Sequence, residues 1–193
     1  INAITIKDAD ELLEAKLTTG NSQILMAVKS GKCIRFEEGK TRPMGRNASG
    51  VRGVRLKDDK DEVVGMLSVN DMDSDILVVS ENGYGKRSKL DDYRITNRGG
   101  KGVKTISITK KTGTLVSIKN VSDGDDLMII NKSGIAIRME VASLRVMGRA
   151  TQGVKLMNIK ENDSIAAVAK VLLDDEEVQD IDDIEVVDDD QIN

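Results

Sequence analysis

The sequence predicts an all-β, propeller-like protein built from four-stranded blades of about 50 residues each. Three observations carry this reading. An apolar run closed by a polar residue and a glycine occurs at residues 22–31, 74–83 and 125–134, and the closing glycines step by 52 and 51 residues. A second glycine, followed by valine, recurs in the same register at Gly50-Val51, Gly102-Val103 and Gly153-Val154. No long stretch of helical period competes with these short runs. Closed propellers need about 4–8 blades; with just over three, the chain reads as a partial propeller.

Each repeat opens on its apolar strand. The pairs Ser30-Gly31, Asn82-Gly83 and Ser133-Gly134 then supply hairpin chemistry, because glycine and asparagine accept positive φ cheaply. Second strands follow at residues 32–37, 84–89 and 135–140. After a polar linker, Gly50-Val51-Arg52, Gly102-Val103-Lys104 and Gly153-Val154-Lys155 open a third strand, and segments such as residues 113–118 supply a fourth. Pro43, the only proline, falls in a linker where no ladder donor is needed. Residues 165–173 fit either a strand or a short helix. Residues 6–12 resemble residues 159–165, so the chain opens on the last part of another blade. Residues 1–172 thus form the repeat region, with repeats starting near 21, 73 and 124, and residues 173–193 form a disordered acidic tail.

Composition excludes several chemistries. There is no His and only one Cys, Cys33. No Ser-His-Asp or Cys-His unit, internal disulfide or Cys-rich zinc site is therefore expected. Asp58-Asp59-Lys60-Asp61-Glu62 reads as a solvated turn in preference to a metal site. Residues 165–173 are interrupted by Lys170 and too short to span a bilayer. The first residues carry no signal-peptide pattern. The expectation is a cytoplasmic protein with no membrane partner, no catalytic residue and no cofactor of its own.

The net charge of −4 sums two unlike parts. Residues 174–193 hold eleven acidic residues and no basic one, which leaves the body with a charge of about +7. The tail reads as a solubilising terminus or as an internal competitor for a basic surface. Within the body, twelve cations fill four columns of the repeat: Arg35, Arg87 and Arg138; Arg42, Arg94 and Arg145; Arg46, Arg98 and Arg149; Arg52, Lys104 and Lys155. Equivalent positions on successive blades form stripes around an arc. Such stripes suit duplex phosphates, which arginine holds with two parallel hydrogen bonds. The alternative is that the columns bridge one blade to the next. Phe36, Tyr84 and Tyr93 occupy three different repeat positions and make no stacking platform for single strands. In Thr96-Asn97-Arg98-Gly99-Gly100-Lys101-Gly102 the glycines permit an anion-holding nest flanked by Arg98 and Lys101, or a flexible loop. Val103 stands where a nucleotide-binding P-loop needs Lys-Ser/Thr chemistry.

Asn82-Gly83-Tyr84-Gly85-Lys86-Arg87, Gly50-Val51-Arg52-Gly53-Val54-Arg55-Leu56 and Val146-Met147-Gly148-Arg149-Ala150-Thr151-Gln152-Gly153-Val154 resemble the repeats of the C-terminal domain of gyrase A, from DNA gyrase, which is a type IIA topoisomerase. The resemblance spans roughly residues 1–172. It implies a β-pinwheel, of which this chain is the last three blades plus the acidic tail, wrapping double-stranded DNA around a basic perimeter. The implied DNA-binding residues are the twelve column cations and Lys101. The implied setting is the rest of gyrase A and gyrase B in an A2B2 complex, in a nucleoid-associated cytoplasmic location. ATP and Mg would serve other parts of that enzyme during negative supercoiling. Arg98-Gly99-Gly100-Lys101-Gly102 matches the last five positions of the gyrase box, whereas Thr96 and Asn97 depart from its first two. That departure keeps the related domain of topoisomerase IV open, beside a propeller scaffold for protein contacts.

Overall fold

The strands follow the repeat closely. The computed structural model describes residues 3–8 and 10–171; the predicted tail lies outside the described residues. The first repeat forms β1 (Gln23–Val28), β2 (Lys32–Glu37) and β3 (Val63–Val69). The second forms β4 (Asp75–Ser80), β5 (Tyr84–Lys89), β6 (Val103–Lys104) and β7 (Leu115–Val121). The third forms β8 (Asp126–Asn131), β9 (Ala136–Glu140), β10 (Val154–Lys155) and β11 (Ile165–Val171). Residues 165–171 are thus a strand. A 3-10 turn follows each second strand, at Glu38–Lys40, Leu90–Asp92 and Val141–Ser143. No α-helix occurs among the described residues.

The sheets depart from the sequence reading in one respect: the third strand of a repeat joins the blade before it. The first sheet has the order β3-β1-β2-β6 and the second β10-β5-β4-β7. Val103 therefore faces Cys33, and Val154 faces Gly85, across antiparallel ladders. The third sheet, β11-β8-β9, has no fourth strand among the described residues. Gly50-Val51-Arg52, expected to open a strand, pairs with none. Glycine makes the exchange possible. Gly102 and Gly153 have φ of +68° and +82°, and a Cβ on either would stand 2.5 Å from a backbone carbonyl oxygen, of Cys33 or Gly85.

The innermost strands β3, β7 and β11 pack side by side, so the exchanged strands β6 and β10 form the outer edges. Apolar side chains fill the seams. Leu25, Leu67, Ile76, Val78, Tyr93, Ile106 and Leu115 join the first two blades, and Leu77, Val79, Val121, Leu127, Ile129 and Val141 join the second and third. Full burial of each such aliphatic side chain contributes about 1.5–3 kcal/mol. All six residues of β4 are buried because its blade is covered on both faces. In β9, one face of which no described element covers, none is.

Candidate nucleic-acid interface

The four basic columns divide into two groups. Arg35 and Arg87 are only 6% and 7% exposed. Arg35 donates through Nη1 to the carbonyls of Leu90 (2.7 Å) and Tyr93 (3.0 Å) in the next blade, and through Nε to Gln23. Arg87 repeats the arrangement one blade on, with Leu144 C=O and Asp123 across the seam and Asp75 3.6 Å away in its own blade. Burial holds the Arg35 guanidinium below its ordinary pKa, opposed by Asp91. Arg138, third in the column, meets no further blade among the described residues; it is exposed and pairs with Asp126 at 2.6 Å. The expectation that this column lines an outer track is corrected for Arg35 and Arg87. Their guanidinium groups turn into the seams, where Arg35 reaches the carbonyls of Leu90 and Tyr93 and Arg87 reaches the Leu144 carbonyl and Asp123.

The other columns lie outside. Arg42, Arg94 and Arg145 sit just past the 3-10 turns and are exposed, as are Arg46, Arg52, Lys104 and Lys155. Arg98 and Arg149 are half-buried and clip the seams from the outer side. Arg98 Nη1 donates to Arg52 C=O at 3.1 Å and its Nε to Lys40 C=O. Arg149 Nη1 donates to Lys104 C=O at 2.8 Å. The third column of one blade thus rests against the fourth column of the blade before, placing Arg52 with Arg98 and Lys104 with Arg149. None of these cations, nor Lys101, forms an ion pair among the described residues. The guanidinium N–H groups left over and the unpaired ammonium groups are donors for an anion.

The glycine string is not an open nest. Gly99 N–H donates to Gly53 C=O, Gly100 C=O accepts from Arg55 N–H, and Gly102 fits against Cys33. These glycines serve close approach at the seam. Sequence columns also missed Lys32, which the strand exchange sets opposite Lys104, and Lys111, 5.3 Å over the Tyr84 ring that Lys155 of the exchanged β10 approaches at 5.7 Å. Lys32 shares its column with Tyr84 and Ile135, so a search for invariant charge passes over it. Only knowledge of the exchange reveals such pairs.

The family model described as DNA gyrase C-terminal domain, beta-propeller, matches residues 22–70, 74–122 and 125–171. The chain belongs to this family. Among gyrase relatives, it is 45% identical over 181 residues to the gyrase A protein of Staphylococcus aureus (strain MRSA252), covering 92% of this chain and 20% of that protein. It is 43% identical over 175 residues to the gyrase A protein of Staphylococcus epidermidis (strain ATCC 12228 / FDA PCI 1200), covering 90% and 20%. The chain spans about a fifth of the length of these relatives. A solved gyrase A C-terminal domain superposes with a TM-score of 0.81 at 28% identity, over 89% of this chain and 58% of that one. A topoisomerase IV C-terminal domain gives 0.82 at 24% identity, over 88% and 52%, and attests the fold alone.

Proposed function

We propose that this chain binds and bends duplex DNA as part of gyrase A, with DNA following the exposed cations of the second, third and fourth columns. The observation that carries this reading is the row Arg52–Arg98 and Lys104–Arg149, tied across successive seams and forming no ion pair among the described residues. Bending costs about 1–6 kcal/mol over about 20–30 bp, offset by added phosphate contacts. No base reading is needed for such binding. Identities of 43–45% to gyrase A proteins favour gyrase over topoisomerase IV. In this reading the chain contributes grip and curvature. Strand cleavage, ATP and Mg belong to the rest of an A2B2 assembly with gyrase B, acting on the nucleoid in the cytoplasm.

The test is a salt titration of duplex affinity. With about six phosphates neutralised, log affinity falls against log salt with a slope near −5. Replacing Arg94 and Arg145 together by Gln removes two contacts and lowers the slope by about 2. Both side chains are exposed, so thermal stability stays within about 0.5 kcal/mol. An unchanged slope, or binding indifferent to duplex length, overturns the proposal.

A further inference from the structure

Where the linker of the second repeat meets the first, a surface pocket of about 160 Å³ is lined by Lys32, Arg55, Leu56, Lys57, Asp61 and Lys101. Four of its six lining residues are cationic. Among the described residues Asp61 is the only acid lining it, and its oxygens already accept from Ser30 N–H (2.9 Å), Ser30 Oγ (2.8 Å) and Lys57 N–H (2.9 Å). Lys57 Nζ lies 3.8 Å from Asp58 in an exposed pair. Lys32, Arg55 and Lys101 have no ion-pair partner among the described residues. Lys104 stands directly opposite Lys32 on the exchanged strand, and like charges so placed repel.

The next seam is an internal control built on the same frame. Arg55 N–H donates to Gly100 C=O at 2.8 Å, and one repeat later Ser107 N–H donates to Thr151 C=O at 3.1 Å. In that register Lys57 corresponds to Thr109, Lys101 to Gln152, Arg55 to Ser107 and Lys32 to Tyr84. The later seam is neutral at these places, and Gln152 Nε2 donates to Thr109 Oγ1 across it at 2.8 Å. Lys57 and Lys101 cannot make that bond, since an ammonium group has no acceptor. The charge of Lys155 there rests over Tyr84 instead of facing another lysine.

We infer that the first seam is a phosphate-binding site, in which one phosphate group sits between Lys57 and Lys101 where the later seam has a hydrogen bond. Arg55 and Lys32 complete the donor set. The four donors lie outside the four columns; the duplex arm of the site rests on the DNA-binding reading above, and the free-phosphate arm does not. A backbone phosphodiester of duplex DNA or a free phosphorylated small molecule presents the same chemistry, and the two are separable.

The test uses the purified 193-residue chain and its variant Lys57→Thr with Lys101→Gln, the pair that the later seam already accommodates. In one arm, pyrophosphate is titrated without divalent metal at constant ionic strength, read by calorimetry and by the rise in melting temperature. In the other, the salt slope of duplex affinity is measured. Saturable pyrophosphate binding that the variant weakens at least tenfold supports a site for free phosphates. A duplex salt slope that falls by about 1 or more in the variant supports a DNA phosphate contact. Equality of wild type and variant in both arms overturns the site, while leaving the Arg94 and Arg145 result standing. Circular dichroism checks the fold, and Arg55→Ser, the residue found at 107, provides a second variant with the same expectations.

Discussion

Arg87→Met separates seam from track most sharply. The substitution keeps the apolar stem and removes the guanidinium that reaches Asp123, the Leu144 carbonyl and Asp75. Asp75 is only 5% exposed, so its carboxylate is left in a poorly hydrated site. Breaking a buried pair from one side costs about 3–5 kcal/mol. Lys89 moderates this, since its ammonium stays 2.9 Å from Asp75 Oδ1, although out of line for a hydrogen bond. We expect a loss of about 3 kcal/mol. Arg138→Met removes the same column residue where no further blade stands among the described residues. Its side chain is 51% exposed, and the loss stays below about 1 kcal/mol. Without tryptophan in the chain, urea unfolding is followed by far-ultraviolet circular dichroism. Hydrogen exchange then reads which sheet opens first, with β8, β9 and β11 losing protection ahead of β1–β3. Equal costs for the two variants, or a weakened salt slope of DNA binding with stability intact, would place Arg87 on the track and refute the assignment.

Two further outcomes follow from buried positions. Burial lowers the Lys86 ammonium to about 8, with Asp92 opposing the shift and Arg149 adding to it. Its amine donates to Gly148 C=O and Ser88 Oγ. Because the folded value lies below the unfolded one, the unfolded chain binds more protons between about pH 8 and pH 10.5, and this group makes stability rise across that window. Lys86→Ile, matching Ile34 and Ile137 in the repeat, removes that rise and stabilises the protein near neutral pH by up to about 3 kcal/mol in thermal melts. A pH-dependent rise retained in the variant assigns it to other groups. Gly102→Ala forces a Cβ against the Cys33 carbonyl at positive φ, whereas Gly50→Ala meets open space at φ +82°. Both bear the backbone strain, of about 1 kcal/mol or more, and only the first also detaches β6, so its melting temperature falls further. Equal losses would mean that the exchanged strand contributes little.

The repeat was legible because it imposes one pattern three times. Apolar runs, polar-glycine turns and Gly-Val pairs located nearly every strand, and residues 165–171, ambiguous by period, took the extended form that β8 templates. The strand exchange was not legible from the residues. Gly102 signals a close approach, but its target, Cys33, lies in another repeat and nothing local names it. That gap governs the site as well. Recurrence of arginine marks a position that matters in every blade without saying whether the side chain turns into the seam or away from it. Arg87 follows Lys86 on a strand whose first five residues are buried, while Arg94 lies past a 3-10 turn in an exposed linker. Lys32 is alone in its column, beside Tyr84 and Ile135, and Lys57 shares its column with Thr109 and Lys160, so neither column is basic throughout.

The exchange also explains why seam and rim are built from one stretch of chain. The linker that leaves each second strand must cross to the preceding blade before its Gly-Val pair can join that sheet. Thr96 N–H donates to Arg35 C=O and Met147 N–H to Arg87 C=O during this crossing. The buried column therefore fixes, through its main chain, the linker that carries the exposed second and third columns. Arg98 and Arg149 then fasten the linker to the carbonyls of Arg52 and Lys104 from the outside. Cations at the rim are spaced by the blade repeat because the crossing is, and the spacing holds only while the seams do. Loosening a seam should thus blur the register of the rim before it removes any charge from it. That makes the Arg87 and Arg94 variants complementary: the first changes where the cations stand, the second how many there are.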